Sequence, residues 1–193
     1  SAMSQDFDRY YLYERDENNF QTLCHTLADE FDLTFEQEKI QGTSTTMAKC
    51  DNPRVRVYNM DCNEGVKWLV NHAGGNSHWF TFIDPEKFSV ERELLESLIQ
   101  RGNMDILFNF QTTGFVRAGS EDAEHSHDKV QRNVGENFPL NASADEWVDW
   151  VKTNVFGPSS FDTTSRKMIS EGNTSWRYDL IFASASGTAE NIM

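Results

Sequence analysis

Basic residues are scarce in this sequence compared with acidic ones. Seventeen Lys and Arg residues stand against 31 Asp and Glu residues, which gives a formal net charge of -14 at pH 7. A protein with this charge repels polyanions, so strong non-specific binding to nucleic acid is excluded unless a basic patch is segregated on the surface. No segment of the sequence is rich enough in Lys and Arg to predict such a patch.

Cysteines and long apolar segments are also scarce. The three cysteines, Cys24, Cys50 and Cys62, are odd in number and have no Cys-x-x-Cys spacing, which argues against a disulfide framework or a zinc site. No apolar run approaches the roughly 20 residues that a membrane-spanning helix needs, and no signal peptide is visible. We therefore predict reduced thiols, no membrane partner and a cytoplasmic location.

The length of 193 residues is sufficient for one domain with a sizeable core. Ser1 and Ala2, which precede Met3, are typical of the remnant of a cleaved expression tag. The expected domain therefore spans residues 3–193.

A strand, a helix and a second strand near the middle of the sequence organise the rest. Residues 79–83 are mostly apolar and predict a strand buried on both faces, which stops at Asp84-Pro85 because proline has no amide hydrogen to continue a ladder. Residues 89–100 have helical periodicity, and residues 106–110 predict the second strand. Such a connection makes the two strands parallel. Ligands bind at the carboxyl ends of parallel strands, where Asp84 is expected.

Two earlier strands also end in a carboxylate. Residues 10–13 predict a strand that ends at Glu14, and residues 55–60 predict one that closes on Asp61; a helical pattern follows each. Glu14, Asp61 and Asp84 together indicate a nucleotide-like ligand, because a carboxylate accepts both hydroxyls of a ribose and a strand-end amide can bond to adenine. The alternative is that each acidic residue only caps the helix that follows it.

Residues 118–137 are polar and predict a mobile loop. His125 and His127 lie within it among acidic residues, so a metal site is one interpretation and a solvated loop is the other. The loop interpretation is preferred, and no metal is predicted.

The last part of the chain shows two local signatures. Ser143 and Glu146 have the spacing of a capping box that opens a helix. Residues 166–169 and 176–183 flank the turn sequence at 171–173, which predicts an antiparallel hairpin at the edge of the sheet.

The strand ends resemble the motifs of a class I S-adenosylmethionine-dependent methyltransferase. The segments 11–14, 57–62 and 82–85 resemble its second, third and fourth strand motifs. The segment 82–85, the segment 105–110 followed by Arg117, and the segment 178–184 resemble the three-Cys-motif partner protein family. The resemblance covers most of the chain from about residue 10.

This resemblance implies both a fold and a site. The fold would be α/β, with a doubly wound, mostly parallel, Rossmann-like methyltransferase sheet and the antiparallel hairpin at its C-terminal edge. Glu14 would hold the ribose of S-adenosylmethionine, and Asp61 with the amide of Cys62 would hold its adenine. Asp84 and Pro85 would border the methyl-transfer site.

The sequence departs from the family in the motif that follows Asp84-Pro85. Relatives that methylate a base have a second proline and an aromatic residue there, whereas Glu86 and Lys87 intervene here before Phe88. Methylation of the amino group of a base is therefore not expected.

A larger departure lies before the Glu14 strand. The family fold opens with a strand and a Gly-rich turn, but only residues 3–9 precede the Glu14 strand, and the nearest glycine is Gly42. We expect an N-terminally truncated domain without its first βα unit, either because the sequence begins inside the domain or because the unit has been lost. S-adenosylmethionine would then bind weakly or not at all in this chain. The gap would leave two sheet edges, which a homo-oligomer would cover.

Three functions remain open. The first is a methyltransferase-like protein of unknown substrate that is inactive as this chain alone. The second is a non-catalytic module on a degenerate methyltransferase scaffold, which works through an unknown protein or nucleic-acid partner. The third is an unrelated α/β domain with capped helices and no nucleotide.

Overall fold

The computed structural model describes residues 8–40, 44–72, 77–85, 88–159, 161–169 and 176–185. The chain divides into two compact units, Ser1–Leu69 and Val70–Met193. The described residues form one four-stranded sheet in each unit, which confirms the predicted α/β class. The single domain over residues 3–193 stays a prediction, and the expected tag remnant lies outside the described residues.

The first unit alternates strands and helices around a hairpin. Its elements are β1 (Tyr10–Glu14), α1 (Glu17–Phe31), β2 (Phe35–Lys39), β3 (Thr46–Cys50), β4 (Val55–Asn59) and α2 (Cys62–His72). The strand order is β1-β4-β3-β2. Strand β1 is parallel to β4, and β3 is antiparallel to both of its neighbours.

Helix α1 packs an apolar face on this sheet. It begins after Asp16, whose side chain accepts a hydrogen bond from the backbone N–H of Asn19 at 2.9 Å. Phe20 and Cys24, one helical turn apart, are the buried residues of the helix. The buried cluster of the first unit contains Phe20, Cys24, Ala48, Cys50, Val55 and Val57.

Strand β2 was not predicted from the sequence. Only Phe35 in this strand is partly buried, and its other four residues are exposed. After Phe35 the strand contains only polar residues, among them Glu36, Glu38 and Lys39. It therefore lacks the alternation of apolar and polar residues that predicts a strand. It lies at the end of the sheet order, where charged side chains discourage pairing with another chain.

The second unit contains the predicted parallel pair and the C-terminal hairpin. Its elements are β5 (Trp79–Ile83), α3 (Arg92–Arg101), β6 (Met104–Phe110), α4 (Thr112–Ala118), α5 (Glu124–Val134), α6 (Ala144–Val151), β7 (Asp162–Ile169) and β8 (Arg177–Ser184). The strand order is β5-β6-β8-β7, with β5 parallel to β6 and β8 antiparallel to both neighbours. The predicted hairpin with an edge strand is confirmed, while its turn at 171–173 lies outside the described residues.

The expectation of a mostly parallel sheet is wrong. Each of the two described sheets has one parallel pair, β1-β4 or β5-β6, and two antiparallel pairs. The reason is that hairpin β2-β3 joins the first sheet, and β8 enters the second sheet in the reverse direction between β6 and β7.

Strand β5 is not buried on both faces as predicted. Phe80 is 44% exposed and Phe82 is 55% exposed, whereas Ile83 is buried. Phe80 and Phe82 are two residues apart and therefore lie on the same face of the strand. An apolar run of this length shows that a strand forms, but it does not show which face is covered.

The segment predicted as a mobile loop contains helix α5. Val130 and Val134 are buried one turn apart, and Asn133 is buried beside them. The other side chains of α5 are polar or charged, so the helix is amphipathic but low in total hydrophobicity. The loop prediction for residues 118–137 is wrong for this reason.

Helix α6 begins with the predicted capping box. The side chain of Ser143 caps the backbone of Glu146, and the Glu146 carboxylate accepts from the Ser143 backbone N–H at 2.7 Å. The cap directs the fully buried Trp147 into an aromatic cluster with Phe115, whose ring centroid is 5.5 Å away. This cluster is the centre of the second unit's core.

Gly65 in α2 provides a test of packing in the first unit. A Cβ atom at Gly65 would lie 2.4 Å from Cε1 of Tyr13, whose ring stacks on Tyr58 at 5.3 Å and so has little room to move. We expect Gly65→Ala to lower the free energy of unfolding by about 1–3 kcal/mol through overpacking. Gly114→Ala in α4 is the matched control, because the nearest atom there is 3.9 Å away. It should be neutral or stabilise by up to about 1 kcal/mol in chemical denaturation.

Both ring nitrogens of His78, at the amino end of β5, face a side-chain oxygen. Its Nε2 lies 2.9 Å from Oδ2 of Asp105, and its Nδ1 lies 3.2 Å from Oδ1 of Asn103. The hydrogen bond with Asp105 is the main reason that the pKa of His78 is raised above its ordinary value. A raised pKa means that the stabilisation is complete below the unfolded pKa and is lost as the pH rises through the folded one.

We therefore expect wild type to exceed His78→Gln in stability by more at about pH 5 than at about pH 9. The difference should be about 1 kcal/mol or less, because the imidazole is half-exposed. Denaturant titrations across this range measure it, and an equal gap at both ends would contradict the assignment.

Candidate functional site

The carboxyl edge of the first sheet collects three of the predicted site residues. Strands β1 and β4 are parallel, with Glu14 opposite Asn59, so Glu14 and Asp61 end their strands at the same edge. The Asn59 side-chain amide donates to the carbonyl oxygens of Glu14 and Arg15, each at 3.1 Å. This bridge holds the two strand ends together.

Glu14 is half-buried and has only part of its carboxylate occupied. Its Oε1 accepts a hydrogen bond from the backbone N–H of Asp16 at 2.7 Å. The other oxygen, Oε2, has no donor among the described residues. Glu14 is therefore oriented by the backbone and still has an acceptor for a ligand hydroxyl.

Asp61 caps helix α2. Its Oδ1 accepts from the backbone N–H of Asn63 at 2.8 Å and from the Asn63 side chain at 2.9 Å. Its Oδ2 lies 3.3 Å from Nη1 of Arg15, whose side chain is 74% exposed. Asp61 therefore caps the helix that follows it, and Oδ2, the oxygen paired with Arg15, is the one that could accept a hydrogen bond from a ligand.

Cys62 is the first residue of α2. Burial raises the pKa of its thiol, and the charge of Asp61 raises it further. The thiol is therefore protonated near neutral pH and is not an activated nucleophile. Its backbone N–H is one of those that a helix leaves without an internal partner.

The carboxyl edge of the second sheet carries Asp84 and Pro85. Asp84 is exposed and accepts a hydrogen bond from the side chain of Asn109 at 2.7 Å. The carbonyl oxygen of the buried Pro85 accepts from Gln111 at 2.6 Å. Strand β6 therefore positions the residues that end β5.

Asn109 and Gln111 were not identified from the sequence. Asn109 lies on the partly buried face of β6 with Leu107 and Asp105, because burial alternates along this strand. Its Oδ1 atom is buried and has no hydrogen-bond partner among the described residues. The signal that could have found it is a polar residue near the carboxyl end of a largely apolar strand, next to a predicted acidic strand end.

A buried ion pair lies on the same edge. Asp179 in β8 is buried, and its two oxygens accept from Nε and Nη2 of Arg177 at 2.8 and 3.0 Å. The hydroxyl of Thr112 donates to Asp179 at 2.5 Å. Arg177 also pairs with Asp145 at 2.6 Å. These bonds, chiefly the one to Asp179, raise the pKa of Arg177 and fix the start of β8 against helix α4.

A cavity of about 500 Å³ in the second unit contains none of the predicted site residues. Its lining includes Arg92, whose guanidinium donates to Glu96 and to the carbonyl oxygen of Val134, both at 2.6 Å. The remaining residues that line it are Gly135, Glu136, Asn137, Trp150 and Asn154.

No group of three or more His, Cys, Asp and Glu side chains within the described ranges is arranged to hold a metal ion. His125 is exposed on α5, and His127 bonds to the carbonyl oxygen of Ser120 at 2.9 Å. None of the helices in the described part of the chain is long and apolar enough to cross a membrane.

The sequence matches no protein-family model and no curated protein.

Substitutions of Asp61 separate its capping role from its charge. Asp61→Ala removes the acceptor for the Asn63 amide and should lower the free energy of unfolding by about 0.5–2 kcal/mol. Asp61→Asn retains a side-chain oxygen at the cap and should lower it by only a few tenths, about the difference between good capping residues. Thermal and denaturant unfolding measure both. Equal losses in the two variants would show that charge rather than capping stabilises this helix start.

Proposed function

We propose that this chain is a methyltransferase-like α/β protein that binds S-adenosylmethionine and acts on a substrate not yet identified. The observation that carries the proposal is that each unit has one pair of parallel strands, β1-β4 in the first and β5-β6 in the second, and that Glu14, Asp61 and Asp84 lie at the ends of these strands. Ligands of open α/β sheets bind at such ends.

The strand order of each sheet supports this proposal. In the doubly wound order 3-2-1-4-5-6, the first strand is flanked by the parallel pairs 3-2 and 4-5. Each described sheet contains one such parallel pair, β4-β1 in the first unit and β5-β6 in the second, and β1 and β5 each stand at the end of their described sheet. We therefore include a Rossmann-like methyltransferase fold in this proposal.

Three residues of the first unit would hold the cofactor. The Oε2 atom of Glu14 would accept the ribose hydroxyls, and Asp61 with the Cys62 amide would hold the adenine. Arg15 would have to leave Asp61, which requires little energy because exposed ion pairs contribute about 0–1 kcal/mol. The cap made by Asn63 can remain in place, since it uses the other oxygen.

Asp84 and Pro85 would border the site of methyl transfer. When bound, the cofactor would supply an electrophilic methyl group on a sulfonium. Asn109 holds Asp84 in position, so that the exposed carboxylate can accept the hydrogen of an attacking hydroxyl or amine. The carbonyl of Pro85 is fixed by Gln111 in the same way.

The competing proposal is a non-catalytic module that works through an unknown protein or nucleic-acid partner, or as a homo-oligomer. It is favoured by the partners that the carboxylates already have: Asp61 caps α2 and pairs with Arg15, and Glu14 binds the Asp16 amide. These contacts give each carboxylate a structural partner within the chain, as expected of a protein that binds no ligand there.

Titration with S-adenosylmethionine, followed by the NMR signals of the Cys62 and Asn63 amides, distinguishes the two proposals. We expect a Kd of about 1 mM for this chain, because one or two charge-assisted hydrogen bonds supply only a few kcal/mol. Asp61→Asn and Glu14→Gln should each weaken binding about tenfold while keeping their backbone contacts. Asp29→Asn, on the exposed face of α1, is the matched charge control.

A titration without any shift at about ten millimolar would reject cofactor binding and favour the module. Micromolar binding that depends on Glu14 and Asp61 would support the function and contradict the expected weakness.

A further inference from the structure

Two arginines near the carboxyl edge of the second sheet, Arg177 and Arg117, differ in their partners among the described residues. Arg177 is matched by Asp179 and Asp145. Arg117, in the last turn of α4, is exposed and pairs with no carboxylate in the described ranges. Its guanidinium instead lies over the ring of Trp176, 4.6 Å from the ring centroid. A stacked guanidinium keeps its N–H groups, which lie in its plane, available at its rim.

Trp176 and Arg117 are held together by the backbone. Thr113 and Arg117 are four residues apart on α4 and so lie on the same face of the helix. The hydroxyl of Thr113 accepts from the backbone N–H of Arg177 at 2.7 Å, which fixes the residue next to Trp176 against α4. The stacked pair is therefore positioned before any ligand arrives, while the indole remains 41% exposed.

The strand register places this pair at the candidate site. Strand β8 is antiparallel to β6, with Asp179 opposite Phe110, so Trp176 lies beyond the carboxyl end of β6. Asp84 ends the neighbouring strand β5 at the same edge. Two strand spacings, about 10 Å, separate β5 from β8 across the sheet.

We propose that Arg117 and Trp176 bind a small planar anion, an aromatic or heteroaromatic ring that carries a carboxylate or phosphate group. The ring stacks on the exposed indole, and the anionic group accepts hydrogen bonds from the free rim of the guanidinium. The net charge of -14 disfavours a polyanion, so the ligand is a small molecule. A ligand seated there extends across the end of β6 towards Asp84.

This inference rests on the proposed function only in calling the ligand the methyl acceptor. Binding itself requires no cofactor. A titration without S-adenosylmethionine therefore tests ligand binding to Arg117 and Trp176 separately. The proposal of cofactor binding can be rejected while this one is supported.

The probe is 2-naphthoate, with the uncharged 2-naphthamide as its isostere. Each is titrated into the wild-type protein while the five indole N–H signals are followed by NMR, and Trp176→Leu assigns one of them. Naphthoate should shift the Trp176 signal and bind at least about tenfold more tightly than the amide, because only the acid meets the charge of Arg117.

Variants of Arg117 decide its role. Arg117→Gln should weaken naphthoate about tenfold and abolish the preference over the amide, while Arg117→Lys should restore part of it. Arg132→Gln, an exposed arginine of α5 in the same unit, should change nothing. Far-ultraviolet circular dichroism verifies that each variant is folded. Equal binding of acid and amide, an unchanged affinity in Arg117→Gln, or a shift confined to another tryptophan would overturn the proposal.

Discussion

Parallel pairing of β1 with β4, and of β5 with β6, is the constraint on which the candidate sites depend. Parallel strands end at the same edge of a sheet, so residues far apart in sequence, such as Glu14 and Asp61, become neighbours without any contact of their own side chains. The same rule places Asp84 beside Asn109.

A carboxylate at such a position must satisfy the helix that follows before it can bind anything else. The two oxygens of Asp61 have different partners. One caps α2 through Asn63, and the other pairs with the exposed Arg15. The cap contributes about 1 kcal/mol, whereas the exposed ion pair contributes less. A ligand that displaced Arg15 would therefore leave the helix cap in place, because the cap uses the other oxygen of Asp61.

The second edge is organised by charge matching. Asp179 is buried, and it is stable there because Arg177 and Thr112 satisfy both of its oxygens. That pair leaves Arg117 as the cation with a solvent-facing rim, stacked on Trp176. The buried ion pair of Asp179 and Arg177 thus lies on the same edge as an arginine that pairs with no carboxylate in the described ranges, and the proposed preference for anions depends on this difference.

The sequence by itself determined the elements whose signals are local. The β5-α3-β6 unit, the helix opened at Ser143 and the C-terminal hairpin were predicted because hydrophobic period, cap spacing and turn residues are short-range properties. The acidic strand ends were found for the same reason, although α3 begins at Arg92 rather than at the predicted residue 89.

Only the tertiary structure decided the features that depend on which elements pack against each other. A polar edge strand such as β2 is held by its neighbour rather than by an apolar face, and α5 needs only Val130 and Val134 to anchor a charged helix. The apolar residues of β5 did not reveal that Phe80 and Phe82 would be exposed, because composition does not tell which face is covered. Likewise, Asn109, Arg15 and Trp176 are candidate site residues because of partners 25 to 59 positions away, which a short window of the sequence does not contain.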